Sequence, residues 1–186
     1  MSRVWTLIAL LAVAASFALW WLGDPEPPAE PTPEVADDQA DYWIESGRLE
    51  RFNAEGRRQL ELEADRMAHF PGDGRIELEQ VWLLYHGRED LDWDIVSNRG
   101  EISGDRDRIL LEGAVRMLRL PVTGEIMHFT TDWLELLTDE DLARTDAPVT
   151  MRQPGGHMTG TGLLVLLQRD HMTIQRDVRG FYGTDD

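Results

Sequence analysis

The sequence repeats a layout in which two apolar segments flank a polar turn, and its clearest copy occupies residues 95–117. In each copy a small residue is followed by a polar residue or glycine, and a valine lies 16 or 17 positions after this second residue. The four copies are Ala64-Asp65 with Val81, Ser97-Asn98 with Val115, Thr131-Asp132 with Val149, and Thr161-Gly162 with Val178. Because self-similarity at a period of about 30 to 34 residues indicates one supersecondary unit repeated side by side, the chain is predicted to stack four strand-turn-strand modules.

Polar turns separate the apolar segments. Their sequences are Asn53-Ala54-Glu55-Gly56, Pro71-Gly72-Asp73-Gly74, Gly104-Asp105-Arg106-Asp107, Thr138-Asp139-Glu140-Asp141 and Gln168-Arg169-Asp170. Gly56 is expected to adopt a positive φ in the first turn, because glycine has no Cβ to clash there. Between the turns polar and apolar residues alternate, which gives each strand one dry and one wet face. No segment after residue 23 sustains a helical period with caps, so this part is predicted to be nearly all β.

The alternation predicts which residues face the interior. They are Leu62, Ala64, Val115, Met117, Phe129, Trp133, Val149, Met151, Leu163 and Val165. Two all-β architectures fit strands at this spacing, an antiparallel jellyroll-like pair of sheets and a solenoid of stacked rungs. Both leave the first and last strands unpaired, and an open edge can accept a strand from another chain. The dry interior is either a plain core or, if the sheets part, a pocket for a lipid chain.

Residues 4–22 form an almost entirely apolar run, long enough to cross the ~30 Å hydrocarbon core as a helix. A cleaved signal peptide is the alternative, since Ala12-Val13-Ala14 resembles a cleavage site, but cleavage there would leave an apolar remnant on the mature chain. Arg3 precedes the run and acidic residues follow it, so a cytoplasmic N-terminus and an exported remainder are expected. Residues 1–23 are therefore predicted to be a single transmembrane anchor.

Residues 24–40 are rich in proline and acidic residues and contain few large apolar side chains. Such a segment cannot bury enough surface to fold, and proline-rich chains favour the extended polyproline II conformation. It is predicted to be a spacer between the anchor and a β domain at residues 41–186.

Composition excludes several classes of function. The 35 acidic residues exceed the 18 basic ones, which are all arginine, and the formal net charge is -17. Since nucleic-acid binding depends on basic side chains that displace counterions, DNA and RNA are not expected partners. The absence of cysteine excludes disulfides, thiolate metal sites and a cysteine nucleophile.

Sequence motifs for catalysis and metal binding are not found. The five histidines are separated by at least 14 residues, so none has the spacing of a metal-binding pair. No serine lies in a nucleophile-elbow motif, and the glycine-rich residues 155–162 lack the Lys-Ser/Thr pair of a phosphate-binding loop. A carboxylate pair acting on a glycan stays open, because its separation depends on the fold. We expect no enzyme activity, metal or cofactor.

Several short motifs occur in an order that is typical of one family. They are Asp41-Tyr42-Trp43-Ile44-Glu45, the Asn53-Ala54-Glu55-Gly56 turn, Thr130-Thr131-Asp132, Asp146-Ala147-Pro148-Val149, Gly160-Thr161-Gly162 and Val178-Arg179-Gly180-Phe181-Tyr182. With the apolar run and the spacer before them, they cover the whole chain. In this order and spacing the chain resembles the lipopolysaccharide export protein family LptC.

The resemblance implies a periplasmic β-jellyroll on a single-pass inner-membrane anchor. It implies as partners lipopolysaccharide, an ABC-type, LptBFG-like extractor in the inner membrane, and an LptA-like periplasmic bridge protein joined by edge-strand addition. The ten interior residues would then contact acyl chains. Partner-binding roles are implied for Gly56, Gly155, Gly156, Ile174, Val178, Gly180 and Tyr182.

The acidity of the domain bears on how such a lipid would bind. With a net charge of -17, the domain should repel the phosphates of lipid A, so binding is expected through acyl chains. The alternative is a membrane-tethered structural adaptor with a solid core and no lipid ligand. A tethered carbohydrate enzyme is a third hypothesis.

Overall fold

Nine long antiparallel strands make up the folded part of the chain. The computed structural model describes residues 38–88, 91–121, 125–169 and 171–183. The strands are β1 Tyr42–Phe52, β2 Arg58–His69, β3 Ile76–His86, β4 Asp92–Ile102, β5 Arg108–Leu120, β6 Met127–Leu137, β7 Leu142–Gln153, β8 Gly156–Leu166 and β9 His171–Tyr182. Each strand pairs with the next one in sequence, so the order across the sheet is β1 to β9.

The predicted anchor at residues 1–23 and most of the predicted spacer at residues 24–40 lie outside the described residues. Within the described ranges, no helix has the length and apolar character needed to cross a membrane. The anchor and the spacer stay predictions of the sequence.

The turns follow the sequence prediction. Each predicted polar turn lies between two consecutive strands. In the β1–β2 turn, Gly56 has a φ of 75° and donates its N–H to the carbonyl oxygen of Asn53 at 2.9 Å. The Asn53 side chain accepts hydrogen bonds from the backbone N–H groups of Glu55 at 3.1 Å and Arg57 at 2.9 Å. These bonds fix the turn, and the positive φ predicted for Gly56 is confirmed.

A line of backbone irregularities crosses the sheet near the middle of the strands. Positive φ values occur there at Ser46, Gln80, Gly113, Ala114, Gly162 and Asp177, and the pairing register shifts at the same level from β4 to β9. The small-polar pairs of the sequence repeat lie on this line, which we call the bulge line. Because bulges bend a strand and increase its twist, the repeat marks the place where the strands bend.

The bend folds the sheet over its own inner face. Side chains of that face are almost completely buried, although the described residues form no second sheet or helical layer. Strand ends that are far apart in the sheet order meet, since Trp93 near the start of β4 donates a hydrogen bond to the carbonyl oxygen of Leu167 just beyond β8. The two packed layers are therefore the two halves of one continuous sheet on either side of the bulge line. The prediction of two separate sheets was wrong, and the antiparallel order excludes a solenoid.

The side chains that form the core change parity at the bulge line in several strands. In β6 the buried residues are Phe129 and then Leu134 and Leu136, an odd step along the strand. Trp133 is only partly buried. The prediction that Trp133 faces the interior was wrong, because strict alternation does not continue through the irregular backbone at this level.

Candidate functional site

The folded sheet brings nine of the ten residues predicted to face the interior into one apolar cluster. Val115, Phe129 and Val165, on three different strands, are each at most 2% exposed. The cluster includes residues from β2 to β8, and Leu49 of β1 and Ile174 of β9 pack against it. An apolar surface therefore extends inside the fold from one edge strand to the other.

Polar side chains close this interior where the two halves of the sheet meet. We call this closure the seam, and its central members are Gln59, Tyr85, Asp141 and Gln168. The Tyr85 hydroxyl donates a hydrogen bond to the Asp141 carboxylate and accepts one from Gln168 Nε2 at 3.1 Å. Gln59 Nε2 donates to Asp141 Oδ1 at 2.8 Å and to the carbonyl oxygen of Thr138 at 2.9 Å. Because these bonds connect ends of strands that are not neighbours in the sheet, they hold its two halves together.

The chemistry of Tyr85 suits this position. Its side chain is completely buried, and burial, followed by the hydrogen bond to Asp141, raises the pKa of its phenol above the ordinary value. The phenol is therefore protonated at neutral pH and donates a hydrogen bond to the Asp141 carboxylate.

Further contacts extend the seam. Arg51 at the end of β1 donates hydrogen bonds to Thr138 Oγ1 at 2.7 Å and to the carbonyl oxygen of Arg106 at 2.8 Å, and pairs with Asp139. The seam residues were not predicted from the sequence. The available signal was the presence of Tyr85 on the dry face of β3, since a buried tyrosine hydroxyl usually has a hydrogen-bond partner.

The first and last strands each present a free edge. Within the described sheet β1 pairs only with β2, and β9 pairs only with β8. Exposed apolar side chains lie on both strands, namely Tyr42, Trp43, Ile44 and Phe52 on β1, and Val178, Phe181 and Tyr182 on β9. Unpaired backbone groups beside exposed apolar side chains are the features that strand addition uses.

The predicted partner-binding residues lie at both edges of the sheet. Gly56 is in the β1–β2 turn, whereas Ile174, Val178, Gly180 and Tyr182 are on β9. Gly155 has a φ of 78°, and its carbonyl oxygen accepts a hydrogen bond from the N–H of Gly183 at 2.9 Å. A Cβ at Gly156 would lie 2.8 Å from the carbonyl oxygen of Phe181. The β7–β8 turn therefore supports the end of β9, while Ile174 packs inward against the core.

An open groove of about 850 Å³ follows the bulge line from β3 to β7. Trp82 lies on it and donates a hydrogen bond from Nε1 to Asp94 Oδ2 at 2.9 Å. Thr131 Oγ1, at the same level, is buried without a hydrogen-bond partner among the described residues. This groove was not predicted from the sequence, although the repeated small-polar pairs lie along it.

Among the described residues, histidines and carboxylates do not converge on one metal-binding site. His69 Nδ1 lies 2.7 Å from Asp41 Oδ1, and His86 Nδ1 lies 3.2 Å from Asp92 Oδ1. In the part of the chain that the structure describes, no three histidine, aspartate or glutamate side chains are arranged to hold a metal ion.

A solved structure shows the same kind of fold. It is the crystal structure of LptH from Pseudomonas aeruginosa, the LptA-homologous periplasmic component of the conserved lipopolysaccharide transport device. The two chains align with a TM-score of 0.54 at 8% sequence identity, over 67% of this chain and 95% of that one. At this identity the likeness concerns the fold alone. A search of curated proteins finds no match.

The sequence itself matches a protein family. The family described as "Lipopolysaccharide-assembly, LptC-related" matches residues 7–183. That range contains the apolar run from residue 7 onward and all nine strands. Because the match covers nearly the entire sequence, the chain belongs to the LptC-related family of lipopolysaccharide assembly.

Proposed function

We propose that this chain is a membrane-anchored bridge subunit of lipopolysaccharide transport. It accepts lipopolysaccharide from an ATP-driven extractor in the inner membrane and passes it to a soluble periplasmic partner of similar fold. The observation that carries this proposal is the continuous apolar cluster inside the folded sheet, which extends between two free edges. Membership of the family supports it.

The proposal assigns a role to each part of the chain. Residues 1–23 anchor it in the inner membrane with a cytoplasmic N-terminus, and residues 24–40 hold the β domain away from the periplasmic surface. The free edge of β1 joins the inner-membrane complex. The free edge of β9, with Val178, Phe181 and Tyr182, adds to the sheet of the periplasmic partner, so that the two interiors become continuous.

Acyl chains occupy the interior in this proposal, and the seam controls their entry. Burial of each methylene group contributes roughly 0.8 kcal/mol, so an acyl chain gains most where apolar side chains line its whole length. The interior side chains are already packed against one another, with Leu62 and Val165 both 0% exposed. A chain therefore enters only when the two halves of the sheet separate at the seam.

Photo-crosslinking in cells tests contact between lipid and the interior. Crosslinkers at Leu62, Val115, Phe129 and Val165 are expected to capture lipopolysaccharide. The matched controls are their exposed neighbours Glu63, Arg116 and His128, which point to the opposite face and should capture none. Absence of capture at all four interior positions, with the transport complex intact, would reject the proposal.

A reversible lock on the seam tests the route of entry. Because the chain has no cysteine, the Gln59→Cys/Asp141→Cys pair can be bridged with a bifunctional thiosulfonate reagent and released with a reductant. We expect bridging to abolish lipid capture at Val115 and reduction to restore it. Each single-cysteine variant, treated in the same way, is the control. Full capture by the bridged variant would show that lipid does not enter at the seam.

The complete packing of the core favours a second candidate, a membrane-tethered structural adaptor without a lipid ligand. The Val178→Lys/Tyr182→Lys variant separates the two functions, with Gln175→Lys on the same strand as its control. In a conduit the double variant loses the periplasmic partner but still captures lipid at Val115. In an adaptor it loses the partner, and even the wild-type interior captures nothing.

A further inference from the structure

A local excess of arginine lies beside the seam. A hollow of about 660 Å³ opens there, and a smaller one of about 310 Å³ shares residues with it. The charged residues that line the two hollows are Arg57, Arg58, Arg88, Arg169, Glu55, Glu140 and Asp141. We call this lining the arginine pocket. Its four cations and three anions are close to balance, in contrast to the chain as a whole, whose formal net charge is -17.

Two of these arginines have guanidinium groups available to a ligand. Arg57 and Arg88 are exposed, and neither forms an ion pair with any described residue. Arg58 is engaged, since it pairs with Glu61 at 2.8 Å. A guanidinium group carries planar sets of N–H donors that fit the oxygens of a phosphate or carboxylate group in a bidentate manner. The pocket therefore offers two groups of the kind that bind such anions, neither of which is engaged by the described part of the chain.

His86 also lines the larger hollow. Its Nδ1 lies 3.2 Å from Asp92 Oδ1, whereas its Nε2 is buried and has no hydrogen-bond partner in the described ranges. Buried polar atoms in folded proteins usually have a partner. His86 therefore contributes a ring to the lining, and the groups that can reach a ligand in the hollow are the exposed guanidinium groups of Arg57 and Arg88.

The arginine pocket lies against the entrance to the apolar interior. Gln59, Asp141 and Gln168 line the pocket and also form the seam. They contact the hydroxyl of Tyr85, whose buried ring belongs to the core cluster. A molecule with an anionic group in the pocket would therefore have its apolar part next to the line where the sheet halves separate.

We propose that the arginine pocket binds the phosphate or carboxylate group of an anionic amphiphile, and that this contact places its acyl chains at the seam. The part that concerns acyl chains rests on the proposed function. Binding of the amphiphile then involves its anionic group as well as its acyl chains. This differs from the expectation, based on the net charge of the chain, that anionic groups are repelled.

The experiment compares a phosphorylated lipid with its dephosphorylated form. The purified chain in non-ionic detergent is titrated with bis-phosphorylated lipid A, with the same lipid after phosphate removal, and with inorganic phosphate. We expect the phosphorylated lipid to bind about 10-fold or more tightly than the dephosphorylated one, as expected for charge-assisted hydrogen bonds. The Arg57→Gln/Arg88→Gln variant should lose this preference and bind both lipids as the wild type binds the dephosphorylated form.

A matched variant controls for the loss of two positive charges. Arg99→Gln/Arg152→Gln removes two exposed arginines that lie on strands outside the pocket and form no ion pair with the described residues. It should keep the preference for phosphorylated lipid. Loss of preference in both variants would assign the effect to net charge and overturn the proposal.

The remaining outcomes separate this proposal from the function on which it rests. Equal binding of both lipids by the wild type would overturn the arginine pocket and leave the lipid conduit standing. Binding of neither lipid would reject the conduit as well. Arginine-dependent binding of inorganic phosphate without lipid binding would make the pocket a site for free anions and overturn its role toward an amphiphile.

Discussion

The Tyr85→Phe substitution removes one oxygen atom from the seam and leaves the buried ring in place. That oxygen bonds to the Asp141 carboxylate, to Gln168 Nε2 at 3.1 Å and to Gln59 Nε2 at 3.4 Å. The Tyr85 side chain is completely buried, whereas Asp141 and Gln168 also line the open hollow beside the seam, where water can replace part of the lost bonding. A hydrogen bond to a charged group contributes roughly 1.5–3 kcal/mol. After the substitution Asp141 retains the hydrogen bond from Gln59 at 2.8 Å, so we expect the free energy of unfolding to fall by about 2 kcal/mol.

Urea and thermal unfolding of the purified chain measure this loss. For a domain of this size, about 2 kcal/mol corresponds to a decrease of about 4–8 °C in Tm and about 1 M in the urea midpoint. Tyr182→Phe is the matched control, because its side chain is 66% exposed on the free edge of β9. It should change the free energy of unfolding by less than about 0.5 kcal/mol.

The effect of Tyr85→Phe should also depend on pH. The folded-state pKa of Tyr85 is raised above its ordinary value of 10.0, so the folded chain holds the phenolic proton more tightly than the unfolded chain. This contribution to stability is fully present below about pH 10 and is lost as the pH rises from there toward the folded-state pKa. The stability difference between wild type and variant should shrink in that range. The role of the hydroxyl would be refuted if Tyr85→Phe were as stable as the wild type at pH 7. It would also be refuted if the difference between their free energies of unfolding increased above pH 10.

Three further substitutions test the turns, the edge and the core. Gly56→Val should destabilise the chain in thermal unfolding by about 1–2 kcal/mol, because the φ of Gly56 is 75°. Gly56→Asn should be nearly neutral, because asparagine tolerates this φ better than valine does. Equal Tm values for the two variants would contradict this. Gly156→Ala should weaken capture of the periplasmic partner in a pull-down, because the added Cβ would lie 2.8 Å from the carbonyl oxygen of Phe181 on β9. Gly180→Ala is the control and should not weaken capture, because the atoms nearest to its added Cβ are 3.8 Å away. Leu83→Ala should lower the free energy of unfolding in urea by about 2–5 kcal/mol, because Leu83 is completely buried. Leu84 is partly exposed, and a larger loss for Leu84→Ala than for Leu83→Ala would count against the core assignment.

The turns and most strand faces could be predicted from the sequence because they depend on residues that are close together in the chain. Asn53 and Gly56 specify a turn by their own hydrogen bonding and φ preference, whatever the rest of the fold. Alternation placed Val115 and Phe129 correctly in the interior for the same reason.

The sequence repeat marks the places where the strands bend, but only the repeat and not the bend was predicted from it. The repeated pairs Ser97-Asn98 and Thr131-Asp132 identified a structural unit, yet they mark bulges at mid-strand. Bulges depend on register between strands, and register is a long-range property that one segment does not contain. The burial error at Trp133 and the expectation of two separate sheets have this common origin.

The seam could not be predicted, because its members come from strands that meet only after the sheet has folded over. Gln59 lies near the start of β2, and Asp141 and Gln168 lie in turns next to strand ends, where polar residues are common. Their role depends on which strand ends the bend brings together, as does the clustering of Arg57 and Arg88 beside them.

The position of the bulge line opposite the seam reconciles a packed core with a lipid conduit. If the two halves of the sheet move apart at the seam and turn about the bulge line, the hydrogen bonds between neighbouring strands are retained, because they run within each half. The cost of opening then has two parts, the polar bonds of the seam and the exposure of apolar side chains. An acyl chain that enters offsets the second part by replacing the lost apolar contacts. The seam bonds are the part that an acyl chain cannot replace, so under the proposed function their strength sets how readily lipid enters, and weakening them at Tyr85 should increase lipid capture as it lowers stability.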